Sequence, residues 1–153
     1  MHWIETWESD GVTKIDGIGT QMHVSYILNE ADQKAQEDAI VNMFQILAAS
    51  GKLIKISELD MGICEKTFAT GLKTEEVTFE QQQKMAEFYT FIIRKYFEII
   101  PVEQQYGITQ WCATDSKDEK NVWRQGEPVG LWDLNYNRKP TYEGFLKGLS
   151  GEE

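Results

Sequence analysis

The pattern that most constrains this chain is a regular alternation of short β-like runs with long amphipathic helices. Predicted helices cover residues 2–9, 29–50, 79–99 and 140–149. Predicted strands cover residues 12–18, 53–57 and 107–112. Strands that alternate with helices form right-handed βαβ units and a parallel sheet, so two α/β folds remain open, a (β/α)₈ barrel and a doubly wound sheet.

The helix over 29–50 shows the pattern most clearly. Asn29 is suited to the N-cap, and Gly51 is suited to the position just past the last turn. The apolar positions of one helical face are Ile40, Met43, Phe44 and Leu47. This spacing predicts a helix that buries one face against a sheet.

Composition narrows the possible partners. The 153 residues fit one domain, and 25 acids against 15 bases give a net charge of −10, which disfavours nucleic acid and anionic membranes. A neutral ligand such as a sugar is compatible with this charge. No apolar run is long enough to span a membrane, and the first residues lack the pattern of a signal peptide. We expect Cys64 and Cys112 to be free thiols, and we expect no metal or cofactor.

Two acids follow the second predicted strand. Glu58 and Asp60 are two residues apart, so along a strand their side chains point to the same face. Two carboxylates held that close need a partner or a proton, as in an enzyme active site. Two acids in a solvated loop are the alternative interpretation.

Unusual side chains follow the other two strands as well. Gln21 and His23 follow the first strand and Trp111 lies at the end of the third, and in barrels such strand ends meet at one mouth. His23 is therefore a candidate partner for the two acids. Trp111 could fill the core or stack on a sugar ring.

A polar loop follows the third strand. Trp123 lies in this loop, where its ring could stack on a sugar or fill the core. Asp115 and Arg124 lie in the same loop and could pair with each other to hold it.

With these residues identified, the sequence resembles the C-terminal part of the catalytic domain of glycoside hydrolase family 10, the endo-1,4-β-xylanases. The matching blocks are IDGIGTQMH (15–23), IKISELDMGI (54–63), ITQWCATDS (108–116), and Trp123-Arg124 followed by LWDLNYNRKPTY (131–142). The family has a (β/α)₈ TIM barrel fold and hydrolyses xylan with retention of configuration. The resemblance implies that residues 1–153 form a partial catalytic domain, an incomplete barrel that contains strands six to eight with their helices.

The resemblance also implies roles for individual residues. Glu58 corresponds to the nucleophile, His23 lies beside it, and Asp60 fixes His23. The family's sugar-binding residues correspond here to Gln21, Trp111, Trp123 and Arg124. The family has a structural turn before its last helix, and the residues that correspond to it here are Asp133, Asn135, Tyr136, Lys139 and Pro140.

One part of the family pattern lacks a counterpart. The acid/base glutamate follows an asparagine at the end of strand four, but the one Asn-Glu pair here, Asn29-Glu30, lies at a predicted helix start. A whole barrel also takes about 250 residues. We therefore expect a fragment that is inactive alone and needs the N-terminal part of the barrel or self-association. A non-catalytic xylan-binding module is the alternative function, and an extracellular or periplasmic location is inferred from the family alone.

Overall fold

In a computed structural model, which describes residues 2–151, three parallel strands form one sheet with helices packed against one of its faces. The elements in chain order are α1 (His2–Glu8), β1 (Gly17–Ile27), α2 (Glu30–Ala48), β2 (Leu53–Cys64), α3 (Phe79–Ile99), β3 (Gln105–Gln110) and α4 (Pro140–Ser150). The sheet order is β1-β2-β3, and both pairings are parallel. None of the helices within residues 2–151 is long and apolar enough to cross a membrane.

The predicted alternation and the helix bounds are confirmed, but the strand bounds are not. The first strand was expected at 12–18 and lies at Gly17–Ile27, because the Asp10 carboxylate accepts from the backbone of Val12 and Thr13 and closes a turn there. The second strand extends seven residues past its predicted end, from 57 to Cys64. Glu58 and Asp60 are therefore inside a strand rather than after it.

The hydrophobic core lies between the sheet and the helices α2 and α3. Tyr96 of α3 is fully buried, and its hydroxyl donates to the carbonyl of Ile54 over 2.8 Å. The same hydroxyl accepts from the backbone N–H of Gly107 over 3.1 Å. One side chain thus satisfies backbone groups of both β2 and β3. The other large side chains with no exposed surface include Phe44, Met85, Tyr89, Ile92 and Ile93.

A bulge in β2 determines which side chains face the helices. Thr20 pairs with Ile56, but the next residue, Gln21, pairs with Glu58, so Ser57 is an extra residue in the ladder. Because side chains alternate with a period of two, one extra residue exchanges the faces. Residues of β2 that are buried in the helix-side core on either side of the bulge are Ile54, Ile56, Leu59, Met61 and Ile63.

Among residues 2–151, no helix packs against the opposite face of the sheet. Gly17, Gly19 and Gln21 of β1 are exposed there, and Tyr106 of β3 is 65% exposed. The outer edges of β1 and β3 also have no neighbouring strand within the described residues. Parallel sheets normally have both faces covered, so this open face and these unpaired edges are unusual for such a sheet.

Candidate active site

His23 lies between two carboxylates at the carboxyl end of the sheet. Its Nδ1 is 3.0 Å from Asp60 Oδ2, and its Nε2 is 3.2 Å from Glu58 Oε2. Gln21 donates from Nε2 to the other Glu58 oxygen, Oε1, over 2.9 Å. The strand register produces this arrangement, because Gln21 is paired with Glu58 and His23 with Asp60 on the neighbouring strand. Both oxygens of Glu58 are therefore fixed, while about a fifth of its side chain, 22%, stays exposed.

Asp60 is fully buried, and its carboxylate has several donors. Trp123 donates from Nε1 to Oδ2 over 2.7 Å, and Arg124 donates from Nη1 to Oδ1 over 3.2 Å. His23 provides the third contact. A buried carboxylate is tolerated when it is paired and hydrogen-bonded in this way. Asp60 is thus a fixed anion beneath the imidazole.

Arg124 extends from the loop after β3 across the ends of β1 and β2. Its Nη1 also donates to the carbonyl of Val24 over 2.7 Å, and its Nη2 donates to Ser25 Oγ over 2.6 Å. Nε and Nη2 both donate to Glu127 Oε2, over 3.0 and 2.7 Å. The backbone of Arg124 has φ 47°, a left-handed conformation that costs a non-glycine residue of the order of 1–2 kcal/mol. The surrounding hydrogen bonds hold that conformation.

Two indole rings flank His23. The ring centroids of Trp123 and Trp111 lie 4.7 and 6.0 Å from that of His23. Both indoles are about half exposed, and the backbone N–H of Trp111 donates to the carbonyl of Leu59 over 2.9 Å. These half-exposed rings and the Glu58 carboxylate border an open surface, which we call the cleft, and its flat aromatic sides suit a sugar ring.

Asp115 and Arg124 are not paired, so that alternative is wrong. Asp115 instead forms a buried ion pair with Lys139. The Lys139 ammonium also donates to the carbonyls of Pro128 and Gly130, over 2.9 and 3.1 Å. Burial raises the pKa of Asp115 and lowers the pKa of Lys139, while their mutual attraction opposes both shifts. This pair fastens the loop to the start of α4 rather than contributing to the cleft.

The turn before α4 is also ordered by one carboxylate. Asp133 Oδ1 accepts from the backbone N–H groups of Asn135 and Asn137, both over 2.8 Å. Tyr136 has φ 64°, the left-handed conformation that such a turn requires. These contacts explain the residue types of this segment without a role in binding.

The two cysteines are free, as expected from the sequence. Cys112 Sγ is 3.8 Å from Asp60 Oδ2. Burial, together with the charge of Asp60 and the contact with it, raises the pKa of Cys112 to about 12.

Asn29 caps α2 by accepting from the Asp32 N–H over 3.1 Å, so Asn29-Glu30 is a helix start.

Sequence reasoning did not identify Ser25 and Glu127 as part of this network. Ser25 continues the alternation of Gln21 and His23 along β1, and that signal becomes visible once the true strand bounds are known. Glu127 follows Arg124 by three residues in a loop, where spacing alone predicts no contact.

A parallel βα sheet with a histidine, carboxylates and indoles at its carboxyl end is the arrangement expected of part of a barrel enzyme. The profile of glycosyl hydrolase family 10 matches residues 1–148, and the chain belongs to this family. The resemblance inferred from the sequence is confirmed. The sheet and its helices correspond to a portion of a TIM barrel.

Two curated relatives show how much of such an enzyme is represented. The chain is 31% identical over 156 residues to the endo-beta-1,4-xylanase Xyn10C of Cellvibrio japonicus, covering 91% of this chain and 23% of that protein. It is 27% identical over 139 residues to the endo-1,4-beta-xylanase B of Humicola insolens, covering 89% of this chain and 35% of that protein. The chain therefore spans about a quarter to a third of the length of these relatives.

Solved structures also match this chain over only part of their own length. A mutant of xylanase 10C from Cellvibrio japonicus, in complex with xylopentaose, superposes with a TM-score of 0.76 at 25% identity, covering 99% of this chain and 30% of that chain. A family 10 enzyme from Paenibacillus barcinonensis superposes with a TM-score of 0.71 at 27% identity, covering 97% and 40%. Nearly all of this chain therefore has a counterpart in a longer fold.

Proposed function

We propose that this chain carries the nucleophile side of a retaining endo-1,4-β-xylanase active site, with Glu58 as the nucleophile. The observation that carries the proposal is the fixed orientation of the Glu58 carboxylate by Gln21 and His23 at the carboxyl end of a parallel sheet. A nucleophile needs this combination of two directed contacts and partial exposure. Asp60 serves as the buried anion that orients His23.

The proposed reaction has two steps. The Glu58 carboxylate attacks the anomeric carbon while a carboxylic acid protonates the leaving oxygen, and water then hydrolyses the glycosyl-enzyme. Retaining enzymes hold the two carboxyl groups about 5–5.5 Å apart. We assign β1, β2 and β3 to strands six, seven and eight of the barrel. The acid/base glutamate would then lie on a strand contributed by further βα units. Residues 1–153 then form a partial catalytic domain that is inactive by itself.

The proposed substrate is xylan or a xylo-oligosaccharide. Trp111 and Trp123 would form aromatic walls, and Gln21 would reach both the sugar and Glu58. Arg124 was expected to bind the sugar directly, but the hydrogen bonds of its guanidinium go to protein atoms, so we assign its contribution to the support of Asp60. A neutral polymer agrees with the net charge of −10.

The proposed partner is the remainder of a barrel. The uncovered sheet face and the two open strand edges would be buried by further βα units, and a second copy of the chain is the alternative cover. An extracellular or periplasmic location would follow from a polymeric substrate.

Reconstitution tests this proposal. The chain would be mixed with the N-terminal part of Cellvibrio japonicus Xyn10C that lies outside the matched segment, and xylan hydrolysis would be measured. We expect activity from the mixture, loss of that activity by more than a thousandfold in Glu58→Gln, and no loss in the control Glu80→Gln, which lies exposed on α3. Activity that survives Glu58→Gln would remove Glu58 from the role.

A non-catalytic xylan-binding module is the second candidate. The half-exposed indoles of Trp111 and Trp123 favour it, because they are accessible without any further segment. Titration of the chain with xylohexaose, followed by tryptophan fluorescence, would detect binding. Binding that Trp111→Ala removes, together with a reconstituted mixture that hydrolyses nothing, would support this candidate over the enzyme.

A further inference from the structure

We propose that Glu127 is a positioning residue of this site, which acts on Asp60 by fixing the guanidinium of Arg124. The inference rests on the proposed function only in its consequence for hydrolysis. The positions themselves follow from contacts within this chain. A continuous chain of contacts runs from Glu127 through Arg124 and Asp60 to His23 and Glu58.

The geometry of the guanidinium explains why Glu127 matters. The Nε and Nη2 of Arg124 both donate to Glu127 Oε2, while Nη1 donates to Asp60 Oδ1. The guanidinium is a planar and rigid fork, so an anion that holds one edge sets the direction of the other. Glu127 therefore acts together with the Val24 carbonyl and the Ser25 hydroxyl to set where the Arg124 donor to Asp60 points. The two side chains are only 14% and 15% exposed, so water competes weakly for these contacts.

The backbone around this ion pair is shaped to receive it. A Cβ at Gly62 would lie 2.1 Å from Arg124 Nη2 and 2.3 Å from Glu127 Oε2. A Cβ at Gly71 would lie 2.2 Å from Glu127 Cδ. All three distances are far below van der Waals contact, so these glycines provide the space in which the pair lies.

The Glu127 side chain is not needed to hold its own loop. The backbone of that loop is fixed by the Thr74 N–H, which donates to the Gly126 carbonyl over 2.8 Å, and by the Ser116 N–H, which donates to the Glu127 carbonyl over 3.2 Å. The Gly126 N–H also donates to the Lys117 carbonyl over 3.1 Å. Positioning of Arg124 is therefore the contribution that the carboxylate adds.

The indole N–H of Trp123 reports on Asp60 without any assay of activity. It donates to Asp60 Oδ2 over 2.7 Å, so its NMR resonance and its hydrogen-exchange rate depend on where that carboxylate lies. We expect Glu127→Ala in the full chain to shift this resonance and to accelerate its exchange by roughly tenfold, since one charge-assisted contact in the network is lost. Glu119→Gln, an exposed change in the preceding loop, is the matched control and should change neither quantity.

Gly71→Ala tests the same contact from the other side, because the added methyl group displaces the Glu127 carboxylate. We expect it to change the Trp123 signal in the same direction. An unchanged signal in a folded Glu127→Ala variant, or in a folded Gly71→Ala variant if the first does not fold, would overturn the proposal. Circular dichroism establishes which variants are folded.

The reconstituted mixture gives the consequence for hydrolysis. We expect Glu127→Ala to lower kcat about tenfold and to leave KM within about twofold, because the nucleophile is affected more than the aromatic walls. A roughly tenfold rise in KM with no change in kcat would contradict the positioning role of Glu127. If the unmodified mixture hydrolyses nothing while the Trp123 signal responds as expected, the proposed function fails and the positioning role of Glu127 stands.

Discussion

Trp123 donates a 2.7 Å hydrogen bond from its indole to Asp60, so a half-exposed ring in the cleft is bonded to an aspartate with no exposed surface. The ring face remains available while its nitrogen is fixed, which is how buried polar handles orient aromatic side chains. The same bond joins the loop after β3 to β2. The cleft wall and the charge beneath it are therefore coupled.

Trp123→Phe should separate these two contributions. Phenylalanine keeps an aromatic face but has no donor for Asp60, so the free energy of unfolding should fall by about 1–2 kcal/mol, measured by urea denaturation. The matched control is Trp7→Phe, since Trp7 is exposed on α1. Equal losses in the two variants would mean that the Asp60 bond contributes nothing measurable.

Lys139→Met should be among the most destabilising single changes in the chain. It leaves Asp115 buried beside two carbonyls without its cation, which costs about 3–5 kcal/mol in comparable pairs. The double variant Asp115→Asn with Lys139→Met should recover part of the loss, because no unpaired charge remains. Lys147→Met, at a more exposed position of α4, is the control and should change the free energy of unfolding by less than about 0.5 kcal/mol.

Cys112 should resist alkylation in the folded chain. Iodoacetamide reacts with the thiolate, and raising the pKa of Cys112 from 9.0 to about 12 lowers the thiolate fraction at pH 8 roughly a thousandfold. Mass spectrometry of the Cys64→Ser variant at pH 8 would measure the rate at Cys112 alone. The rate should increase as pH rises toward 12, and it should match that of a free thiol in 8 M urea. Rapid labelling of the native protein at pH 8 would contradict the burial of this thiol beside Asp60.

Gly144→Ala should weaken the packing of α4 on α3. A Cβ at Gly144 would lie 2.1 Å from the carbonyl oxygen of Ala86, and the Thr90 hydroxyl already donates to the Gly144 carbonyl over 2.8 Å. Separating the helices to relieve this overlap should cost about 1–3 kcal/mol, despite the better helix propensity of alanine. Glu143→Ala, one residue earlier on α4 and directed to solvent, should be neutral or slightly stabilising in the same thermal denaturation experiment.

The helices were predictable because their periodicity is local. α3 was predicted to residue precision at both ends, since Thr78 caps it and Pro101 follows it. The strands were less predictable, because β1 alternates apolar residues with Gln21, His23 and Ser25, and a polar inner face resembles a loop when its partner strand is unknown. The ends of a β-strand depend on the neighbouring strand with which it pairs, so they cannot be predicted from the sequence of one strand alone.

The central residues of the site were predictable for a related reason. Glu58, Asp60 and His23 follow apolar runs whose ends meet in a parallel sheet, so their proximity follows from fold class. Two other partners of Asp60 were not predictable, because Trp123 and Arg124 reach it from a loop more than sixty residues away in sequence. The assumed Asp115–Arg124 pair failed because proximity in sequence does not select among loop conformations.

The bulge at Ser57 determines which side chains of β2 lie on the open face of the sheet. Ile54 and Ile56 anchor the first part of β2 against the helices, and the inserted serine is what turns Glu58 to the open side two residues later. A regular strand that included Ser57 without the bulge would direct both acids into hydrocarbon and bring Leu59 into the cleft. The conformation of one residue thus decides whether this strand presents carboxylate oxygens or a leucine on its open side.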